Sequence, residues 1–291
     1  MPIDSKPRAP GALGLSLAVI AAAPALAQND SGWTPVFNGK NLDGLYIRSG
    51  RAELRNPATQ DYAKPQADGS LYIANAGPAG AICTKANLSY YHARVQYHFP
   101  SESGTPNAGI LYHVDSLDYL ETDAIGSNTV DRVPSLQPSC GGSWFPKGWE
   151  CQMRRGQSGA IYGVANVWGE TTAKNGKWDP AGDPHPITPS YNSGPKSLNP
   201  SQGTWPDGPS NWVTMEIYVY GADSAIHVVN GTRVFKMTRL RHNRLMVPCG
   251  GDGGLWATGA QLPLTNGKHC VQIEGANITY RKWEMRPLLV D

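Results

Sequence analysis

Apolar and polar positions alternate along this chain in short runs, and turn residues separate the runs. β-Branched and aromatic residues concentrate at 71–73, 92–99, 109–114, 149–153, 215–220, 225–229, 271–274 and 278–285, each run bounded by Gly, Pro, Asn or Asp. That pattern predicts strands, because a strand sends successive side chains to opposite faces and ends at turn residues. Asn230-Gly231, between the runs 225–229 and 233–235, predicts a two-residue hairpin turn, since both residues tolerate positive φ. Few stretches escape Gly or Pro long enough to make a long helix, and no internal repeat is visible. The expected fold class is all-β, a sandwich or a barrel. One stretch departs from the pattern. Residues 168–212 are dominated by Gly, Pro, Asn, Ser and Trp, and they read as one long loop carrying Trp168, Trp178, Tyr191 and Trp205. Loops of that length are commonly functional.

Alternation also assigns faces. Glu150, Gln152 and Arg154 share one face of their run, with Cys151 and Met153 on the other. Gln272 and Glu274 share a face, opposite Val271 and Ile273. Two strands therefore turn a Gln and a Glu away from the apolar side. Such a face is either the solvated exterior of an antiparallel sheet or a polar surface lined for a hydroxyl-rich ligand. The aromatic-rich stretch favours the second, since sugar rings lay their C–H faces on Trp and Tyr while their hydroxyls need amide or charged partners.

Composition narrows the classes. The 291 residues include 33 Gly, 24 Pro, 9 Trp and 13 Tyr, too aromatic for a disordered chain. Lys and Arg number 25 against 23 Asp and Glu, a net charge of +2, so neither nucleic acid nor a membrane surface is expected as a partner. Lys6 and Arg8 precede an apolar run from Gly11 to Ala23, and Ala25-Leu26-Ala27 supplies a small-residue cleavage signal. Residues 1–27 thus read as a secretory signal peptide and 28–291 as a single mature domain, periplasmic or secreted. In an oxidising compartment the five cysteines favour disulfides over a metal site, with one left over. The nearest local pairings are Cys140–Cys151 and Cys249–Cys270, and sequence alone does not choose among the alternatives.

Several blocks resemble a known family. Gly32-Trp33-Thr34-Pro35-Val36-Phe37-Asn38-Gly39-Lys40-Asn41-Leu42-Asp43-Gly44 is similar to the opening of the 3-keto-disaccharide hydrolase domain family. Phe99-Pro100 leading to Asn107-Ala108-Gly109-Ile110-Leu111-Tyr112-His113, then Pro146-Lys147-Gly148-Trp149-Glu150-Cys151-Gln152-Met153, follow in the family's order. Asn211-Trp212, Val229-Asn230-Gly231 and the closing run from Val271 to Leu288 complete the resemblance, which spans nearly the whole mature chain. It implies a concanavalin A-like jelly roll, a two-sheet antiparallel β-sandwich with long loops, acting on glycosides already oxidised at C3. An upstream sugar dehydrogenase that makes the C3 ketone is implied with it. Relatives often carry acidic residues just after the Glu-x-Gln strand, where this chain has Arg154-Arg155. No cofactor is expected, although a divalent metal is compatible with the family.

The implied chemistry suits these residue types. A ketone at C3 acidifies the C2 proton, and its removal lets the glycosidic oxygen leave from C1; water then adds back. Glu150, Glu274 and His113 are the catalytic candidates, Glu150 first as base or substrate ligand, with Glu274 alternatively ion-paired to Arg281. Gln152, Tyr162, Arg281 and His227 are candidate substrate-binding residues, and Trp168, Trp178 and Trp205 candidate stacking residues. Laminarinase-type enzymes of the implied fold place Glu-x-Asp-x-(x)-Glu on one strand; Glu150-Cys151-Gln152-Met153-Arg154 lacks the second carboxylate, which disfavours conventional hydrolysis. A non-catalytic lectin-like carbohydrate-binding module is the rival class.

Overall fold

In a computed structural model the described residues are 32–49, 52–53, 63–74, 80–100, 106–114, 148–154, 156–164, 167–188, 197–198, 211–242, 261–274 and 276–289. The strands are, in chain order, β1 (Thr34–Pro35), β2 (Leu45–Ser49), β3 (Ala52–Glu53), β4 (Ala63–Pro65), β5 (Leu71–Ile73), β6 (Gly80–Thr84) and β7 (Tyr90–His98). Next come β8 (Asn107–Val114), β9 (Gly148–Arg154), β10 (Ile161–Val164), β11 (Val167–Lys174), β12 (Lys177–Trp178), β13 (Asp183–Ile187) and β14 (Ser197–Leu198). The last six are β15 (Val213–Tyr220), β16 (Ser224–Val229), β17 (Thr232–His242), β18 (Leu262–Pro263), β19 (Lys268–Ile273) and β20 (Ile278–Pro287). Every run expected from alternation coincides with a strand, Phe99 and Glu274 lying one residue past the ends of theirs, and among the described residues no helix is long and apolar enough to cross a membrane.

The strands form two antiparallel sheets that pack as a β-sandwich. The larger sheet runs β12-β11-β17-β16-β15-β7-β20-β5-β4, with β1, β13 and β18 added at its sides, and the smaller runs β14-β10-β9-β8-β19-β6-β2-β3. Between them lies one core, to which the larger sheet gives Val95, Tyr97, Met215, Ile217, Phe235 and Tyr280, and the smaller Ile82, Ile110, Tyr112, Trp149, Met153 and Val271. In β15 burial alternates strictly, so the outer face of the larger sheet is partly solvated. The smaller sheet differs, because β8, β9 and β19 are buried on both faces along nearly their whole length. Strands buried on both sides are normally apolar throughout. These carry Glu150, Gln152 and Gln272 instead.

Two expectations need correction. The stretch 168–212 is not one continuous loop, since β11, β12 and β13 pair as a ribbon over 167–187. Its turn is Asn175-Gly176, with φ of 53° and 71°, the same chemistry that makes the Asn230-Gly231 hairpin. The local cysteine pairings also fail. Cys83 and Cys270, 187 residues apart, form the disulfide, because β6 and β19 are neighbours and set the two residues directly opposite. Cys151 faces the core and is free. Cys140, Cys249, Trp205, Tyr191 and the leader lie outside the described residues.

Candidate functional site

Directly opposed residues of an antiparallel pair share a face, so strand register decides which side chains meet. On the face of the smaller sheet turned away from the core, Tyr162 of β10 stands opposite Glu150 of β9, which stands opposite Leu111 of β8. One step along, Gln152 stands opposite Gly109, and Arg154 opposite Asn107. β19 lies on the other side of β8 and brings Gln272 to the same face, with Glu274 just beyond its end.

Gly109 is the centre of this arrangement. A Cβ placed there would lie 2.6 Å from Gln272 Oε1 and 2.8 Å from Glu150 Oε1. Only a residue without a side chain leaves room for the two head groups to converge over the β8 backbone. Glu150 is 6% exposed, Gln152 4% and Gln272 0%. Even so, among the described residues Glu150 Oε1, Gln152 Oε1, Asn107 Oδ1 and both amide atoms of Gln272 have no partner in hydrogen-bond geometry. Native proteins rarely leave buried polar atoms unsatisfied, since each costs roughly 1–3 kcal/mol. Four of these five atoms are acceptors, the complement of a ligand rich in hydroxyl donors.

The two carboxyl groups titrate abnormally. Burial, reinforced by the charge of Glu274, pushes Glu150 well above the usual carboxylate range, and the neighbouring Gln272 amide pulls it back in part. Burial also raises Glu274, to about 7, against the pull of the Arg154 cation. Near neutral pH the pair therefore holds protons more firmly than two solvated carboxylates would. Among the described residues no three His, Cys, Asp or Glu side chains converge to hold a metal ion.

The other candidates are distributed across the molecule. Tyr162 joins the site beside Glu150, half-buried, its hydroxyl donating to Gln157 Oε1 at 3.4 Å. His113 does not join it. β8 carries an extra residue between the pairs Val114–Lys268 and Leu111–Cys270, and His113 takes a φ of 48° at that bulge. Its Nε2 donates to the Gly221 carbonyl at 2.7 Å, in a turn of the larger sheet, and burial lowers its pKa to about 4. His227 spans the core: Nδ1 donates to the Gly159 carbonyl at 2.9 Å and Nε2 accepts from the Tyr112 hydroxyl at 2.8 Å. Burial lowers it to about 4 as well. Arg281 lies on the larger sheet, donating to Gln96 Oε1 at 2.8 Å with its guanidinium 3.9 Å above the Trp212 ring, so it is not the partner of Glu274. Trp178 is buried against Phe235, ring centroids 6.1 Å apart, and Trp168 is half-buried on β11 opposite Arg241. Asn107, Gly109, Arg154 and Gln272 are site residues absent from the expected set. The alternation of Asn107-Ala108-Gly109 carried the signal for the first two.

The profile of the 3-keto-alpha-glucoside-1,2-lyase-like domain matches residues 32–286. The chain belongs to that family. Membership supports a carbohydrate-active hydrolase with a carbohydrate substrate. Among solved structures the chain is similar to a protein of Parabacteroides distasonis described as a glycosyl hydrolase, at 16% identity and a TM-score of 0.49, covering 90% of this chain and 99% of that one. It is also similar to a β-glucanase of Bacillus licheniformis, at 11% identity and 0.41, covering 90% and 100%. A carbohydrate binding module from Bacillus subtilis matches at 8% and 0.37, covering 90% and 99%. Likeness at this level is one of fold alone. Among curated proteins none matches.

Proposed function

We propose that this protein cleaves 3-keto-glycosides by proton abstraction at C2 and β-elimination across C1–C2, followed by hydration, on the face built by Glu150, Gln152, Gln272 and Glu274. The observation that carries the reading is the pair of buried carboxyls with raised proton affinities above a floor of unsatisfied amide oxygens. Glu274, near 7 and beside Arg154, is the base: it takes the C2 proton, and the C–H electron pair flows into an enolate on the C3 oxygen. As the ketone re-forms, C1=C2 forms and the C1–O bond breaks. Glu150 gives its proton to the leaving oxygen. The proton on Glu274 exchanges with solvent, water adds at C1 while C2 recovers a proton from Glu274, and the water's remaining proton restores Glu150, so that the net change is hydrolysis. Gln152, Gln272 and Asn107 accept hydroxyl protons and orient the ring. This reading gives the base role to Glu274, where the sequence put Glu150 first as base or substrate ligand with Glu274 beside it as a catalytic candidate. Export after removal of residues 1–27 is part of the same reading, supported by the Cys83–Cys270 disulfide. The substrate would come from an enzyme that oxidises a C3 hydroxyl to the ketone.

The test is turnover of a 3-keto-disaccharide in deuterated water. Deuterium should appear at C2 of the product, the unoxidised disaccharide should be inert, and Glu274→Gln should lower the rate roughly 100-fold or more. Cleavage of the unoxidised sugar without label at C2 overturns the mechanism. Binding with no turnover returns the protein to the lectin-like class.

A further inference from the structure

The ribbon β11–β13 pairs with β17 at one end of the larger sheet, and residues of the ribbon and of β17 line an open cleft of about 720 Å³. None of its lining residues belongs to β8, β9 or β19, so it is separate from the carboxylate face. Its shape is held by backbone pairing from Gly169–Ile187 to Ala173–Asp183, and by Trp178 buried against Phe235. Pro180, Pro184 and Pro186 form one part of its wall, rigid rings that present C–H surface and no backbone donor. Arg233 and Lys236, both exposed on the solvent side of β17, reach the same space.

Charge in the cleft is one-sided. The carboxylate that lines it, Glu170, is already taken by Arg239 at 2.9 Å. Thr171 donates its hydroxyl to the Lys236 carbonyl and Thr172 to the Asp179 carbonyl, so those protons are engaged. Arg233 and Lys236 have no ion-pair partner among the described residues. A ligand must then bring a negative charge to them and a flat C–H face to the prolines. A volume of this size is that of a small-molecule pocket, far more than a lone anion fills. Resting on the carbohydrate reading of the chain, we propose that this cleft is a second saccharide site, which takes a sugar carrying a carboxylate. Arg233 grips the carboxylate in its planar fork, Lys236 adds a point charge, and the ring lies along the proline wall. The protein would thereby hold an acidic glycan at one surface while another surface carries out the cleavage.

The experiment is calorimetric titration of the full chain with a glucuronate-containing disaccharide, with cellobiose, benzoate and sulfate as comparison probes. Binding of the uronate disaccharide should weaken with added salt and fall at least tenfold in the double variant Arg233→Ala/Lys236→Ala. Cellobiose should bind at least tenfold more weakly at this site. That double variant should keep wild-type turnover of a short 3-keto-glycoside, while Glu150→Gln should keep uronate binding, so failure of the cleft and failure of the catalytic reading are separable. Equal uronate affinity in wild type and double variant overturns the proposal. Sulfate or benzoate binding as tightly as the uronate disaccharide also overturns it, leaving a general anion or aromatic-acid site.

Discussion

Gly109→Ala places one methyl group where the Glu150 and Gln272 head groups meet. To reach ordinary contact at 3.4 Å, Gln272 Oε1 must retreat by about 0.8 Å and Glu150 Oε1 by about 0.6 Å from the new Cβ. Both oxygens are the far ends of flexible side chains, and Glu150 Cγ, at 3.0 Å, must give by about 0.4 Å as well, so side-chain rotation absorbs most of the crowding. Alanine also loses less chain entropy on folding than glycine, an advantage of about 0.4–1 kcal/mol that offsets crowding. The expected result is a folded protein whose stability in denaturant lies within about 1 kcal/mol of wild type. Catalysis should respond far more strongly, because displacing reacting groups by about 1 Å costs on the order of 100-fold. The assay is release of monosaccharide from a 3-keto-disaccharide, read beside a denaturation curve. Unchanged kcat/KM would refute the placement of the catalytic centre over Gly109. A stability loss of several kcal/mol with full activity would show instead that Gly109 serves packing.

The pH dependence of kcat/KM should rise through about pH 7 as Glu274 loses its proton. Arg154 lowers the Glu274 pKa, so Arg154→Gln should move that limb to higher pH and Arg154→Lys should restore it; an unmoved limb would remove Arg154 from the site. Across the core, Tyr112→Phe deletes the donor to His227 Nε2 and leaves a buried acceptor unsatisfied, a loss of roughly 1–3 kcal/mol in denaturant unfolding. Its kcat should stay within a few-fold of wild type, and a large fall in kcat at unchanged stability would return His227 to the candidate site residues.

Much of the molecule is legible residue by residue, because strand alternation has a period of two and needs no knowledge of the fold. The placement of Glu150 with Gln152, and of Gln272 with Glu274, follows from that period alone, as does the apolar side that became the core. The Asn230-Gly231 hairpin is equally local, and Asn175-Gly176 carried the same signal within a stretch whose Pro and Gly content read as a loop. Only the tertiary structure set β8 between β9 and β19, strands that lie more than a hundred residues apart in the chain. That neighbourhood makes Gly109 the floor between two side chains, opposes Cys83 to Cys270, and buries a polar face that alternation alone would equally assign to solvent. It likewise turns His113 toward Gly221 at a bulge and keeps Arg281 on the other sheet. Alternation depends on contacts between successive residues. Register, burial and shifted proton affinities depend on which distant strand lies alongside, and that follows from the packing of the whole chain.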